Sequence, residues 1–136
     1  MRERTCFIDS DVFVNAFVIL DKKKNSKTRE LLDQLEQGKT NAITDYFVMA
    51  ETYHVICKYK GNEKAIEIVK KLLTFNSLDI VSIDSYVFFE ALKRAQRYHL
   101  KINDLIHFTV ALLHNTSAIC SYDKDFNGLE IKRIEP

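Results

Sequence analysis

A chain of 136 residues is long enough to bury a genuine core in one domain, read here as spanning residues 1–136, and it shows no linker, repeat or low-complexity segment. Its 46% apolar and 29% charged residues exclude a disordered or fibrous chain, and a net charge of +1 excludes a nucleic-acid binder driven by bulk charge alone. Only three glycines and one proline, the terminal Pro136, interrupt the chain, which favours long helices.

Met1–Thr5 is charged, and no apolar signal-peptide region precedes Asp9. Cys6-Phe7-Ile8 reads as a short buried strand ending at Asp9. Val12–Leu20 predicts an apolar helix capped by Ser10 or Asp11, packed inside the domain or partly against a second copy. Lys22–Lys27 reads as a polar loop, after which Ser26 caps a helix carrying Leu31, Leu32 and Leu35 and ending near Gly38. Ala42-Ile43-Thr44 is a second strand. Asp45 then caps a helix to about Tyr59, and Asn62 caps the next, with Ala65, Ile66, Val69, Leu72 and Leu73 inward. Asp79–Ile83 is strand-like, with a helix from Asp84 or Ser85 to about His99. A helix opened by Asn103 or Asp104 follows, then a strand at Ala118-Ile119-Cys120 and an edge strand within Leu129–Ile134. Short strands alternating with longer helices predict an α/β domain with a mainly parallel sheet.

In such a sheet ligands bind beyond the carboxyl ends of the strands. Asp9 and Asp123 occupy that kind of position, the first directly after Ile8 and the second three residues after Cys120. Glu51 shares the apolar stripe of Phe47, Val48 and Val55, where a carboxylate is costly to bury without compensation. Asp104 opens the apolar run Leu105–Leu113. Taken singly, each acid has an ordinary explanation, as a helix cap, a turn former or half of an ion pair; one shared site explains all four. Converging carboxylates repel one another unless some are protonated or a cation intervenes. All-oxygen ligation suits Mg²⁺ or Mn²⁺, and that chemistry favours phosphodiester hydrolysis.

These segments resemble PIN domains. Phe7-Ile8-Asp9-Ser10-Asp11-Val12 is similar to the family's opening strand motif, Ala50-Glu51 to its internal glutamate, Asn103-Asp104-Leu105-Ile106-His107 to its acidic helix start, and Ser121-Tyr122-Asp123-Lys124-Asp125-Phe126 to its acidic turn. The resemblance implies a three-layer α/β/α sandwich and an Mg²⁺- or Mn²⁺-dependent endoribonuclease, with Asp9, Glu51, Asp104 and Asp123 as catalytic metal-binding acids. It also implies supporting roles for Ser10, Asp11 and Asp125, although Asp11 stands where the family commonly has Asn. Small members of the VapC type are toxins silenced by an antitoxin and are commonly dimeric, so an RNA substrate, an antitoxin partner and a homodimer are expected.

Two rivals stand beside this reading. Asp9-Ser10-Asp11 also fits a haloacid-dehalogenase-type phosphatase, with Asp9 as nucleophile and Asp11 as acid, which the D11N substitution separates from a nuclease. The other is a catalytically silent PIN-like binding module, docking a partner through the basic clusters Lys22, Lys23, Lys24, Lys27, Arg29 and Lys93, Arg94, Arg97, Lys101. The pairs His54/Cys57 and His107/His114 lack recognisable zinc spacing, and His54 and His107 read as ordinary helix-face residues. Three cysteines without a CxxC pair suggest a reducing cytoplasm, and no apolar run approaches the roughly 20 residues of a membrane span.

Overall fold

The computed structural model describes residues 5–136; residues 1–4, most of the charged N-terminal stretch, lie outside them. Among the described residues five strands and six α-helices alternate. They run in the order β1 Cys6–Ile8, α1 Ser10–Phe17, α2 Lys22–Glu36, β2 Ala42–Asp45, α3 Tyr46–Lys60, α4 Asn62–Leu73, β3 Leu78–Val81, α5 Ser85–Arg94, α6 Ile102–Leu113, β4 Ala118–Cys120 and β5 Lys132–Ile134. A single 3₁₀ turn, Lys124–Phe126, links the last two strands.

The sheet order is β3-β2-β1-β4-β5 and every pairing is parallel, with Phe7 opposite both Ile43 and Ile119. The chain first steps outward from β1 to β2 to β3, then returns across the sheet to β4. Right-handed crossovers place α1–α4 on one face during the outward steps and α5–α6 on the other during the return. The result is an α/β/α sandwich. Accordingly α1 packs on α2 and α3, α3 on α4, and α6 on β1, β2 and β4. Coverage of both faces explains why β1 and β4 are unbroken apolar triplets rather than alternating strands. Phe7, Ile8, Ile106, Phe108 and Ile119 are wholly buried between the layers.

Several boundaries differ from the sequence reading, each for a local reason. The polar loop at Lys22–Lys27 is instead the opening of α2, capped by Asp21, whose Oδ1 accepts the Lys23 and Lys24 amides at 2.9 and 3.0 Å. The lysines face solvent, while Asn25 and Thr28 turn inward and give that stretch its buried stripe. Helix α1 is capped by Asp9, not Ser10 or Asp11, and stops at Phe17. Val12–Ala16 and Val18 are buried in the chain's own core, leaving only Ile19 and Leu20 exposed at 66% and 55%. In α4 the buried residues are Ala65, Ile68 and Leu72, whereas Ile66 and Leu73 face solvent. Gly61, with φ +87°, occupies the cap position expected of Asn62 and reverses the chain between α3 and α4 in a conformation that favours glycine. Helix α5 ends at Arg94, short of His99. Lys101, not Asn103 or Asp104, precedes α6 as its cap residue. The edge strand begins only at Lys132.

Helix α1 is short and its last carbonyls need donors. Asn25, buried on α2, supplies them: its Nδ2 donates to the carbonyls of Asn15 and Ala16 at 2.8 and 3.3 Å. Asn25→Ala leaves those buried acceptors unpaired, so stability should fall by about 1–3 kcal/mol in chemical denaturation. An unchanged denaturation midpoint would show that the two bonds contribute nothing.

Candidate active site

The order of connections reverses between β1 and β4: β1 leads outward on one side, and β4 receives the return from the far edge. At such a switch point the two flanking loops diverge and open a crevice at the carboxyl ends of the strands. Asp9 follows β1 and Ser121-Tyr122-Asp123 follows β4, side by side, with the Asp9 amide donating to the Cys120 carbonyl at 3.0 Å. Helix α3 brings Glu51 over the same end and the first turn of α6 brings Asp104. A cleft of about 480 Å³ results, lined by Asp9, Ser10, Asp11, Glu51, Asp104 and Asp123, with Lys101, Ile102 and Asn103 along α6.

The acids are held in place by named donors. Ser121 Oγ donates to Asp9 Oδ2 at 2.7 Å and accepts the Asp123 amide at 3.0 Å, so one buried hydroxyl holds the Asp9 carboxylate and the backbone that carries Asp123. Asp9 Oδ1 accepts the Ser10 amide at 2.8 Å. Asp11 is turned toward the β4 turn, where it accepts the Tyr122 amide at 3.1 Å and lies 3.2 Å from Ser121 Oγ. Asp123 Oδ1 accepts the Asp125 amide at 2.9 Å and caps the 3₁₀ turn. Below Glu51 lies His107, fully buried, with Nδ1 2.7 Å from Asp45 Oδ2 and Nε2 2.7 Å from Glu51 Oε1.

Burial makes charge expensive here. It pushes the Asp9 carboxyl above its ordinary value, although His107 and the Ser121 hydroxyl pull it back. Asp11 rises to about 7, through burial and then the Asp9 charge. Asp104 rises to about 6 for the same two reasons. Burial presses His107 the other way, but its bonds to Asp45 and Glu51 prevail and lift it to about 10. The carboxyls of the cleft thus resist ionising together unless a cation offsets them.

The donor chemistry fits a hard divalent cation. Asp9, Glu51 and His107 can each bring one ligand atom within 4.8 Å of the others, and Asp104, Asp123 and Asp125 form a second such group. Oxygen predominates in both, which suits Mg²⁺ or Mn²⁺ better than zinc. Among the described residues no such group includes His54, Cys57 or His114.

All four acids singled out in the sequence line the one cleft, and so do Ser10 and Asp11. Asp125 is exposed at its margin. Sequence reasoning missed Asp45 and His107 as members of the site. Asp45 is legible only as a cap, a role it does fill through Oδ1 and the Val48 amide at 2.8 Å. The signal for His107 was its place one helical turn after Asp104, inside an otherwise apolar run.

Comparison with known proteins agrees with this architecture. No curated protein sequence matches the chain significantly. Among solved structures it is similar to Mycobacterium tuberculosis VapC20, a toxin that cleaves the sarcin-ricin loop, at 14% identity and a TM-score of 0.79, covering 97% of this chain and 100% of that one. It is similar to a toxin–antitoxin complex from Klebsiella pneumoniae at 16% identity and a TM-score of 0.69, over 97% and 98% of the two chains. It is also similar to VapBC2 from Rickettsia felis, solved bound to a DNA fragment from its promoter, at 15% identity and a TM-score of 0.72, over 96% and 98%. At such identities the likeness speaks for the fold. The PIN domain family model, however, matches residues 6–132, nearly the whole described chain and every acid of the cleft, and on that ground this chain belongs to the PIN domain family.

Proposed function

We propose that this chain is an Mg²⁺- or Mn²⁺-dependent endoribonuclease, the toxin of a VapBC-type pair. The observation that carries the reading is the gathering of Asp9, Glu51, Asp104 and Asp123, remote in sequence, around one cleft at the switch point of the sheet. Membership of the PIN family and the likeness to VapC toxins support it.

Asp9, Glu51, Asp104 and Asp123 would hold the cation. When bound, it supplies counter-charge for a phosphoryl group and acidifies water. The chain's own residues do the positioning. Ser121 ties the Asp9 carboxylate to the main chain at Asp123. Lys101, exposed at the cleft's rim, offers an ammonium to a phosphate of the strand being cleaved. Ser10 and Asp125 flank the acids and serve the substrate or its waters. Asp11 is engaged by the Ser121 hydroxyl and the Tyr122 amide, which favours a supporting role for it beside Asp9 in the cleft.

The proposed partner is an antitoxin, which the toxin–antitoxin complexes among the structural neighbours support, and its proposed seat is the cleft. Pairing with a second copy is supported by the exposed apolar residues Tyr86, Phe89 and Leu92 of α5, rather than by Val12–Leu20, most of which the core consumes. The enzyme is proposed to work in the cytoplasm, where RNA is; among the described residues no helix is long and apolar enough to cross a membrane.

Two measurements test the reading. Asp9→Asn and Asp104→Asn should each lower cation-dependent RNA cleavage by roughly 100-fold or more while the protein stays folded. Cleavage that survives both substitutions, or that needs no cation, overturns the proposed metal site, and a folded wild type that cleaves no RNA with either cation leaves the silent binding module.

The second concerns stability. Asp11 and Asp104, raised to about 7 and about 6, keep protons that the unfolded chain gives up near pH 4. His107, raised to about 10, keeps one that the unfolded chain gives up near pH 6.5. In each case the folded state binds the extra proton, so the contribution is complete below the unfolded value and is lost as pH rises through the folded one. The cation-free protein should therefore melt at a lower temperature at about pH 8 than at about pH 5, and Mn²⁺ should restore more at the higher pH. A melting temperature that rises over this interval without cation would contradict the burial described for these groups.

A further inference from the structure

The His107 imidazole is clamped from every side. It is fully buried, its ring lies 5.6 Å from that of Phe7 on β1, and each nitrogen meets a carboxylate oxygen at 2.7 Å. Both ring nitrogens are therefore taken up by these two carboxylate contacts. Asp45 is equally constrained, giving Oδ1 to the Val48 amide and Oδ2 to His107. Asp45 and Glu51 belong to one helix, as the cap of α3 and its sixth residue. His107 and Asp104 belong to another, three positions apart on α6. The chain Asp45–His107–Glu51 therefore locks the two helices that carry Glu51 and Asp104 to the cleft. A buried ion pair adds little stability on balance, since desolvation offsets most of its attraction. What it does supply is direction.

We propose that Asp45 and His107 are positioning residues for Glu51: His107 grips Glu51 Oε1 and leaves Oε2 as the oxygen presented to a divalent cation in the cleft. This rests on the nuclease reading only in taking Glu51 as a cation ligand. His107 is not itself a ligand here, because both of its nitrogens are already engaged.

The test uses the full chain and Mn²⁺ as probe. Calorimetric titrations are run on wild type, H107Q, D45N, E51Q and the E51Q/H107Q double variant, with folding checked by thermal melts. Loss of a residue that orients a ligand weakens metal binding about 10- to 100-fold, and this is expected of H107Q and of D45N, which can keep its cap oxygen on Val48. On RNA, kcat should fall in both while KM stays, because neither residue reaches the substrate. Since His107 acts through Glu51, the double variant should bind Mn²⁺ no more weakly than E51Q alone. Wild-type affinity in H107Q and D45N, or losses that add in the double variant, would overturn the inference. Pulsed electron paramagnetic resonance of Mn²⁺ on wild type depends on no variant: coupling to a directly coordinated imidazole nitrogen would make His107 a ligand and overturn it as well. Histidine-dependent Mn²⁺ binding without RNA cleavage would sink the nuclease and keep the positioning pair. Normal H107Q binding with RNA cleavage intact would do the reverse, and a wild type that takes up no Mn²⁺ overturns both.

Discussion

Like charges crowded at the end of a parallel sheet are the constraint to which the remaining features of this molecule answer. Three-residue strands buried on both faces bring Asp9 and the Ser121–Asp123 turn to the same depth, and neither can retreat without breaking the register of Ile8 with Cys120. The carboxylates must therefore be accommodated where they stand. Part of the accommodation is local, through the Ser121 hydroxyl and the amides of Ser10 and Tyr122. Part is ionic, through the buried imidazole beneath Glu51. What remains is an excess of anionic oxygen facing an open cleft, and that residue of unsatisfied charge is the chemical meaning of the site.

Two helices carry this arrangement and are not equal partners in it. Helix α6 is apolar almost throughout, with Leu105–Ala111 buried, so its orientation is set by packing against β1, β2 and β4. Helix α3 has a narrower buried face of Val48, Met49, Thr52 and Ile56. Its N-terminal end is held by Asp45, which is also the last residue of β2. A single carboxylate thus ends a strand, starts a helix and binds a histidine on the opposite layer. The position of Glu51 is in this way referred back to the sheet itself, in two steps of well-directed hydrogen bonds.

Much of this was legible in the sequence because the relevant signals are local. An apolar triplet followed by Asp, an Asp three residues before Val48 and an apolar run opened by Asp104 each declare a strand end, a cap and a helix within a few residues. The acids could be grouped because an α/β alternation dictates which strand ends share a side. The failures have equally definite causes. Lys22–Lys27 looked like a loop because lysines dominate it, yet a helix needs only one inward face, and Asn25 and Thr28 supply that with polar side chains that periodicity of apolar residues does not count. Ile66 and Leu73 were placed inward by hydrophobicity, while Ile68 was passed over, a rotation of the stripe that only contact with α3 and β3 decides. His107 went unrecognised because its partners lie 62 and 56 residues away, and no spacing rule reaches that far.

The two margins of the sheet, finally, differ in how they are finished. Among the described residues the link from β4 to β5 carries only a 3₁₀ turn, and β5 is an edge strand hydrogen-bonded to β4 alone. Exposed strand backbone is an invitation to intermolecular pairing and fibril growth. Here it is three residues long and written Lys-Arg-Ile, with Arg133 drawn across to the Ser121 carbonyl and the Glu135 carboxylate. Shortness and charge together deny an incoming strand both length and a dry surface, so the sheet can end in the open at the very side where the acidic turn needs room to receive a ligand.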